Sequence, residues 1–258
     1  MKTRTLALVG SLLIGLAAGG CSADDNNDAS PSDDTTEITV FAAASLNAAF
    51  PEIAEEVFTE SHPDVVVRFA FEGSSSLAEK LQSGASADVF ASANEANMTK
   101  VTDAGLAAEP TKLTTNTLRL IVPAGNPAGV TDLESANAAK FVVCAPQVPC
   151  GAASQELAQA EGITLQPVSE EQSVSDVRAK VESGEADAGL VYLTDALLAG
   201  DAVDIVDAPG VAAVGTTYMI TALSDAPNPE LAKAFIDAVM SDAGQEIMAK
   251  YGFGETAK

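Results

Sequence analysis

Apolar positions along this chain fall into two alternating kinds of run. Ile38-Thr39-Val40-Phe41 is short, β-branched and aromatic, the character of a buried strand, and it opens into Ala42-Ala43-Ala44-Ser45. Leu46, Phe50, Ile53 and Val57 then recur at steps of four, three and four, which predicts an amphipathic helix starting just after Ser45, with Pro51 one turn in. Val65 to Phe71 reads as a second strand and ends in Glu72-Gly73-Ser74-Ser75-Ser76. Leu77 and Leu81 mark the next helix, which stops at Gly84. The alternation continues through a strand at 88–92, a helix at 94–104, strands at 117–122 and 141–144, and helices at 152–160 and 176–182. Strands at 188–192 and 218–223 follow, and then a helical face of Leu231, Phe235, Ala238 and Val239. Strand and helix alternating in this way predict an α/β fold, and no fixed-period repeat is present.

Ligands of parallel α/β sheets sit at the carboxyl ends of strands, where the following helices point their N-termini. Ala44-Ser45 and Gly73-Ser74-Ser75 each place hydroxyls beside free first-turn N–H groups, and Pro149-Cys150-Gly151 is a third turn of this kind. Any one of the serines alone reads as a plain N-cap. Three such turns together predict a site for an anion with no proton to share.

The N-terminus changes the picture of where this fold works. Met1-Lys2-Thr3-Arg4 carries two positive charges, an apolar stretch runs from Leu6 to Ala18, and Gly19-Gly20-Cys21 follows. This is the layout of a secretory signal over residues 1–20. Small residues before a cysteine resemble a bacterial lipobox, with Cys21 lipidated, although Ala18 stands where Leu is usual; an ordinary cleaved signal is the alternative. Residues 21–36 are polar and acidic, suited to a tether above a membrane. Beyond Cys21 the chain has one cysteine pair, Cys144 and Cys150, which in an exported protein reads as a short-loop disulfide. A metal site or two free thiols are the alternatives, the first disfavoured by a single histidine, His62.

A net charge of −24 argues against a nucleic-acid partner, which needs clustered Lys and Arg. It does not exclude an anion, because charges beyond about 8 Å are largely screened at physiological salt and a local set of N–H donors decides binding. A serine hydrolase would have to draw on His62, has no Gly-x-Ser-x-Gly turn, and has no Ser-x-x-Lys at either serine loop. An adhesive surface protein is a third reading, and it would gain no stability from a small anion.

Several motifs occur in a specific order: Val40-Phe41-Ala42-Ala43-Ala44-Ser45-Leu46, Gly73-Ser74-Ser75-Ser76-Leu77, and residues 84–93 reading Gly-Ala-Ser-Ala-Asp-Val-Phe-Ala-Ser-Ala. Val148-Pro149-Cys150-Gly151, Asp176-Val177-Arg178, Ala188-Gly189-Leu190-Val191-Tyr192 and Tyr251-Gly252-Phe253 complete the series. Together they resemble the periplasmic molybdate-binding proteins of ABC importers over nearly everything after Glu37.

The resemblance implies a type II periplasmic-binding-protein fold, with one lobe from residues 37–116 and 217–258 and the other from 117–216, closing on the ligand. It implies a non-enzymatic monomer that delivers molybdate or tungstate to a membrane permease and needs no cofactor. Ser45 and Ser74 would donate O–H and N–H, Cys150 and Val177 backbone N–H, and Tyr192 its hydroxyl, with no protein atom bound directly to the metal. Cys150 departs from the family's usual small residue, and Asp176 with Arg178 is either a surface pair or a lobe-closing contact. Molybdate has no proton at neutral pH, whereas phosphate calls for an acceptor. Sulfate differs from molybdate only in size, so a sulfate-type binder is the alternative ligand reading.

Overall fold

The computed structural model describes residues 36–254. The signal segment, Cys21 and the tether to residue 35 lie outside the described residues. The strands are β1 (Thr36–Ala43), β2 (Val65–Glu72), β3 (Val89–Ser92), β4 (Thr111–Pro123), β5 (Phe141–Cys144), β6 (Ser169–Glu171), β7 (Ala188–Tyr192), β8 (Val203–Val206) and β9 (Gly215–Ala222). They join in the order β2-β1-β3-β9-β4-β7-β5-β6, with β8 also on β4. The helices are α1 (Ala49–Ile53), α2 (Thr59–Ser61), α3 (Ser74–Gln82), α4 (Glu95–Asp103), α5 (Leu133–Asn137), α6 (Pro149–Glu161), α7 (Val174–Glu182), α8 (Leu193–Ala199), α9 (Pro229–Met240) and α10 (Asp242–Lys250).

The sheet has a parallel group at each end. β1 pairs parallel with β2 and β3, and β5 pairs parallel with β6 and β7. Every residue of β3, β5 and β7 is buried, which explains their unbroken apolar runs: helices cover both faces of a parallel sheet. β4 and β9 run antiparallel between the groups. β4 is shared, pairing over Thr111–Thr117 with β9 and over Leu118–Ile121 with β7.

Two expectations about elements change. The helix expected directly after Ser45 is a 3-10 turn, Ala44–Leu46, and α1 begins at Ala49, so that Pro51 falls in the first turn, where its missing N–H costs nothing. A π-helical stretch, Ala54–Phe58, joins α1 to α2. The strand expected at 117–122 is the second half of the 13-residue β4. The stripe on α9 is as expected: Phe235 is fully buried and packs edge-on against Phe50 at 5.7 Å, Phe58 at 5.7 Å and Phe69 at 6.0 Å.

Asp176 and Arg178 do not pair with each other. Asp176 accepts the Ser173 hydroxyl at 2.7 Å in the cap of α7. Arg178 lies 3.1 Å from Glu182 and 3.7 Å from Asp195 of α8, tying the two helices together. Burial raises the Asp195 carboxyl to about 7, against the opposing pull of Arg178 and the Thr194 hydroxyl. An acid whose folded pKa lies above its unfolded value of ~3.9 holds a proton that the unfolded chain releases, so stability falls as pH rises from about 4 to 7. Chemical denaturation across that window should show a decline in the wild type that is reduced in Asp195→Asn; parallel curves for the two proteins would contradict this assignment.

Candidate functional site

The carboxyl ends of both parallel groups open on one cavity. Its walls are Ala43, Ala44 and Ser45 after β1, Gly73 and Ser74 after β2, and Ala93 after β3. Val148, Pro149 and Cys150 follow β5, Val174 opens α7, and Tyr192 ends β7. No Lys, Arg, Asp or Glu lines it. The cavity is small, about 10 Å³, far below the ~300 Å³ at which pockets for organic ligands begin.

The donors come from helix starts. α3 makes its first internal hydrogen bond from Leu77 N–H to Gly73 O, and α6 from Ala152 N–H to Val148 O. The amides of Ser74, Ser75, Cys150 and Gly151 therefore have no acceptor within their helices. Helix dipoles add a partial positive charge at these ends, so the wall attracts an anion without a cationic side chain. Cys150 is bonded to Cys144, which ties the first turn of α6 to the end of β5. Gly151 is needed because a Cβ there would lie 1.9 Å from the Ala145 carbonyl oxygen, so only glycine lets the bridged loop fold back.

Side-chain networks aim the hydroxyls. The Asn116 side-chain oxygen accepts Thr117 N–H at 3.0 Å, which leaves its NH2 group to donate to Thr194 at 2.9 Å and to the Tyr218 hydroxyl at 3.4 Å. Tyr218 and Ser45 Oγ share a hydrogen bond at 2.7 Å in which either hydroxyl can donate, and the Asn116 donor favours Tyr218 giving its proton to Ser45. In that orientation the Ser45 proton is left for a ligand in the cavity. Ser74 Oγ accepts Ala93 N–H at 3.0 Å and likewise keeps its own proton free.

Tyr192 is 1% exposed, and its hydroxyl makes no hydrogen bond of good geometry, only a weaker interaction with the Thr216 side chain. Burial, with Tyr218 and Asp195 adding to it and Thr216 easing it, pushes its pKa well above 10. Burial likewise raises that of Tyr218, opposed by its contacts with Ser45 and Asn116. Both phenols are therefore neutral donors. A buried hydroxyl left without a good hydrogen bond costs roughly 1–3 kcal/mol, and an anion in the cavity relieves that cost.

Four of the five expected residues thus meet at the cavity: Ser45, Ser74, Cys150 and Tyr192. Val177 does not line it. Ser173 caps α7, so Val177 lies in the fourth helical position and its N–H is already directed to Ser173 O at 3.4 Å. Val174 takes its place at the wall, and the first-turn amides of α7 are those of Val174 and Ser175. The Ser-x-x-Asp capping pattern at residues 173–176 carried the signal for that register. Tyr218 and Asn116 were not anticipated; both are buried polar residues on the paired strands β9 and β4, and their role shows only once the fold sets them behind Ser45. Among the described residues, no cluster of His, Cys, Asp and Glu could hold a metal ion.

Comparison with known proteins agrees with this architecture. Residues 38–254 match the family model described as bacterial extracellular solute-binding protein. The molybdate-binding protein ModA of Mycobacterium tuberculosis (strain ATCC 25618 / H37Rv) is 44% identical over 252 residues, covering 96% of each chain. The structure of the Azotobacter vinelandii periplasmic molybdate-binding protein superposes with a TM-score of 0.72 at 18% identity, over 85% of this chain and 100% of that one. The sulfate-binding protein SubI of Mycobacterium tuberculosis H37Rv superposes at 0.69 with 16% identity, over 84% and 86%, so the fold is common to binders of different oxyanions. The sheet is of the type II periplasmic-binding-protein kind, and the chain belongs to the bacterial extracellular solute-binding protein family.

Proposed function

We propose that this protein captures molybdate, or tungstate of nearly the same size, outside the cytoplasm and delivers it to the permease of an ABC importer. The observation that carries the reading is a cavity walled by hydroxyl and amide donors, free of charged side chains, in a chain 44% identical to a molybdate-binding protein. Ser45, Ser74 and Tyr192 donate hydroxyl protons, and the amides of Ser45, Ser74, Cys150 and the first turn of α7 complete the shell. A donor-only shell fits a dianion with no proton and leaves the proton of hydrogen phosphate without a carboxylate to accept it. The molybdenum stays wrapped in its own oxygens, and the protein acts as a binder, not an enzyme.

Residues 37–116 with 217–258, and residues 117–216, act as two lobes, with the crossing of β4 and β9 as the joint between them. Cys21 carries the lipid that holds the monomer at the outer face of the membrane, and the acidic residues after it give the domain reach.

Thermal unfolding of the purified domain tests the ligand: molybdate and tungstate should each raise stability, by about 2.7 kcal/mol at a hundred times the dissociation constant. Sulfate and phosphate should leave it unchanged. A rise with sulfate alone would move the protein to another oxyanion.

Tyr192→Phe should weaken molybdate binding at least tenfold, the loss of one hydrogen bond to a charged group being worth ~1.5–3 kcal/mol. The same change should leave the unliganded protein as stable as the wild type or more so, because the hydroxyl makes no hydrogen bond of good geometry there. Undiminished affinity would take Tyr192 out of the site. Tyr218→Phe touches no ligand atom, yet it removes the group that directs the Ser45 proton and should cost affinity several-fold, measured by calorimetry; an unchanged value would show that Ser45 orients itself.

A further inference from the structure

β2 and β6 stand at opposite ends of the strand order, yet the residues that follow them touch. Gly73, between β2 and α3, lies against Gln172, between β6 and the cap of α7. A Cβ built on Gly73 would sit 2.1 Å from the Gln172 carbonyl oxygen, 3.3 Å from its carbonyl carbon and 3.5 Å from a methyl of Val148. The backbone itself does not call for glycine here: φ is −60° and ψ 136°, an extended conformation open to any residue. Glycine is required only by how near the opposite half comes.

The neighbourhood has the form of a seam between the two halves. A cleft beside the contact is walled by Phe71, Glu72, Gly73 and Ser76 on one side and by Gln172, Ser173 and Asp176 on the other. A second bridge lies nearby, where the Asn97 side chain donates to the Gln147 carbonyl at 3.3 Å. Ser74, the next residue after Gly73, lines the anion cavity, so the seam and the ligand share a turn of chain.

We propose that Gly73 is a closure-determining residue: its bare backbone lets the two halves come together far enough for the donors of both to reach one anion. This rests on the binding function proposed above. With alanine at 73 the halves must stand back by about 0.9 Å at this point to reach 3.0 Å, the shortest approach that real side chains show. Hydrogen bonds of ~2.9 Å lengthened by that amount fall outside the bonding range. Where the two sides of the seam stand apart, the added methyl no longer meets the Gln172 carbonyl, so the unliganded fold should be unaffected.

The test compares wild type, Gly73→Ala and Gln172→Ala for molybdate affinity by calorimetry, unliganded melting temperature, and compaction on adding molybdate by small-angle X-ray scattering. Gly73→Ala should melt with the wild type when unliganded, bind molybdate at least roughly tenfold more weakly, the equivalent of one lost charged hydrogen bond, and compact less. Gln172→Ala keeps the carbonyl that makes the contact and should bind as the wild type does. Full affinity and compaction in Gly73→Ala would overturn the closure role, and so would a marked fall in its unliganded melting temperature, which would make the glycine a folding requirement. Silence from the wild type would overturn the molybdate reading instead, so the two failures are distinguishable.

Discussion

In the proposed function, one electrostatic constraint organises the protein: a dianion must be taken out of water and held without a cation. Neutralisation by lysine or arginine would serve any anion, but amide and hydroxyl protons serve only one that offers acceptors in the right directions. The chain meets the constraint by ending its parallel strands on one spot and starting α3, α6 and α7 there. Each helix start brings amides that have no acceptor within the helix. The cavity is thus a place where unmet backbone donors converge, and the ligand completes their hydrogen bonding. The net charge of −24 is compatible with this, because bulk charge is screened over ~8 Å while the donors act at contact.

Orientation comes from residues behind the wall. Asn116 on β4 and Tyr218 on β9 lie on paired antiparallel strands behind Ser45, where their side chains meet its hydroxyl. The Cys144–Cys150 bond performs a related task on the other side, tying the strand end to the helix start that offers its amides. Less freedom in these groups before binding means less ordering entropy lost on binding.

The α/β class, most of the elements and the serine and Pro-Cys-Gly turns are legible in the sequence, because strand, small-residue turn and helix recur in a pattern with a direct physical meaning; Tyr192 is expected only from the family resemblance. Ser45 and Ser74 stand out as hydroxyls at helix starts after strands. What escapes the pattern has identifiable causes. β4 is twice its expected length because its first half, Thr111 to Asn116, is largely polar and reads as a connection, although it pairs with β9 around an irregularity at Leu113. β6 and β8 are only three and four residues long, too short for an alternation to register. Val177 is expected only from the family resemblance through Asp176-Val177-Arg178, whereas the Ser173 cap puts Val174, one turn earlier, at the wall. Tyr218 lies 173 residues from Ser45, and Gly73 is called for by Gln172 on the far side of the sheet. Long-range contacts of this kind leave no periodic trace.

In the proposed site the metal keeps its own oxygen shell and is held only through hydrogen bonds. X-ray absorption at the molybdenum edge, on protein loaded with molybdate and freed of excess, addresses this most directly. Retained molybdenum should show the four-oxygen tetrahedral shell of the free ion and no sulfur or nitrogen neighbour. An expanded shell, a sulfur neighbour from Cys150, or protein that retains no molybdenum would contradict it.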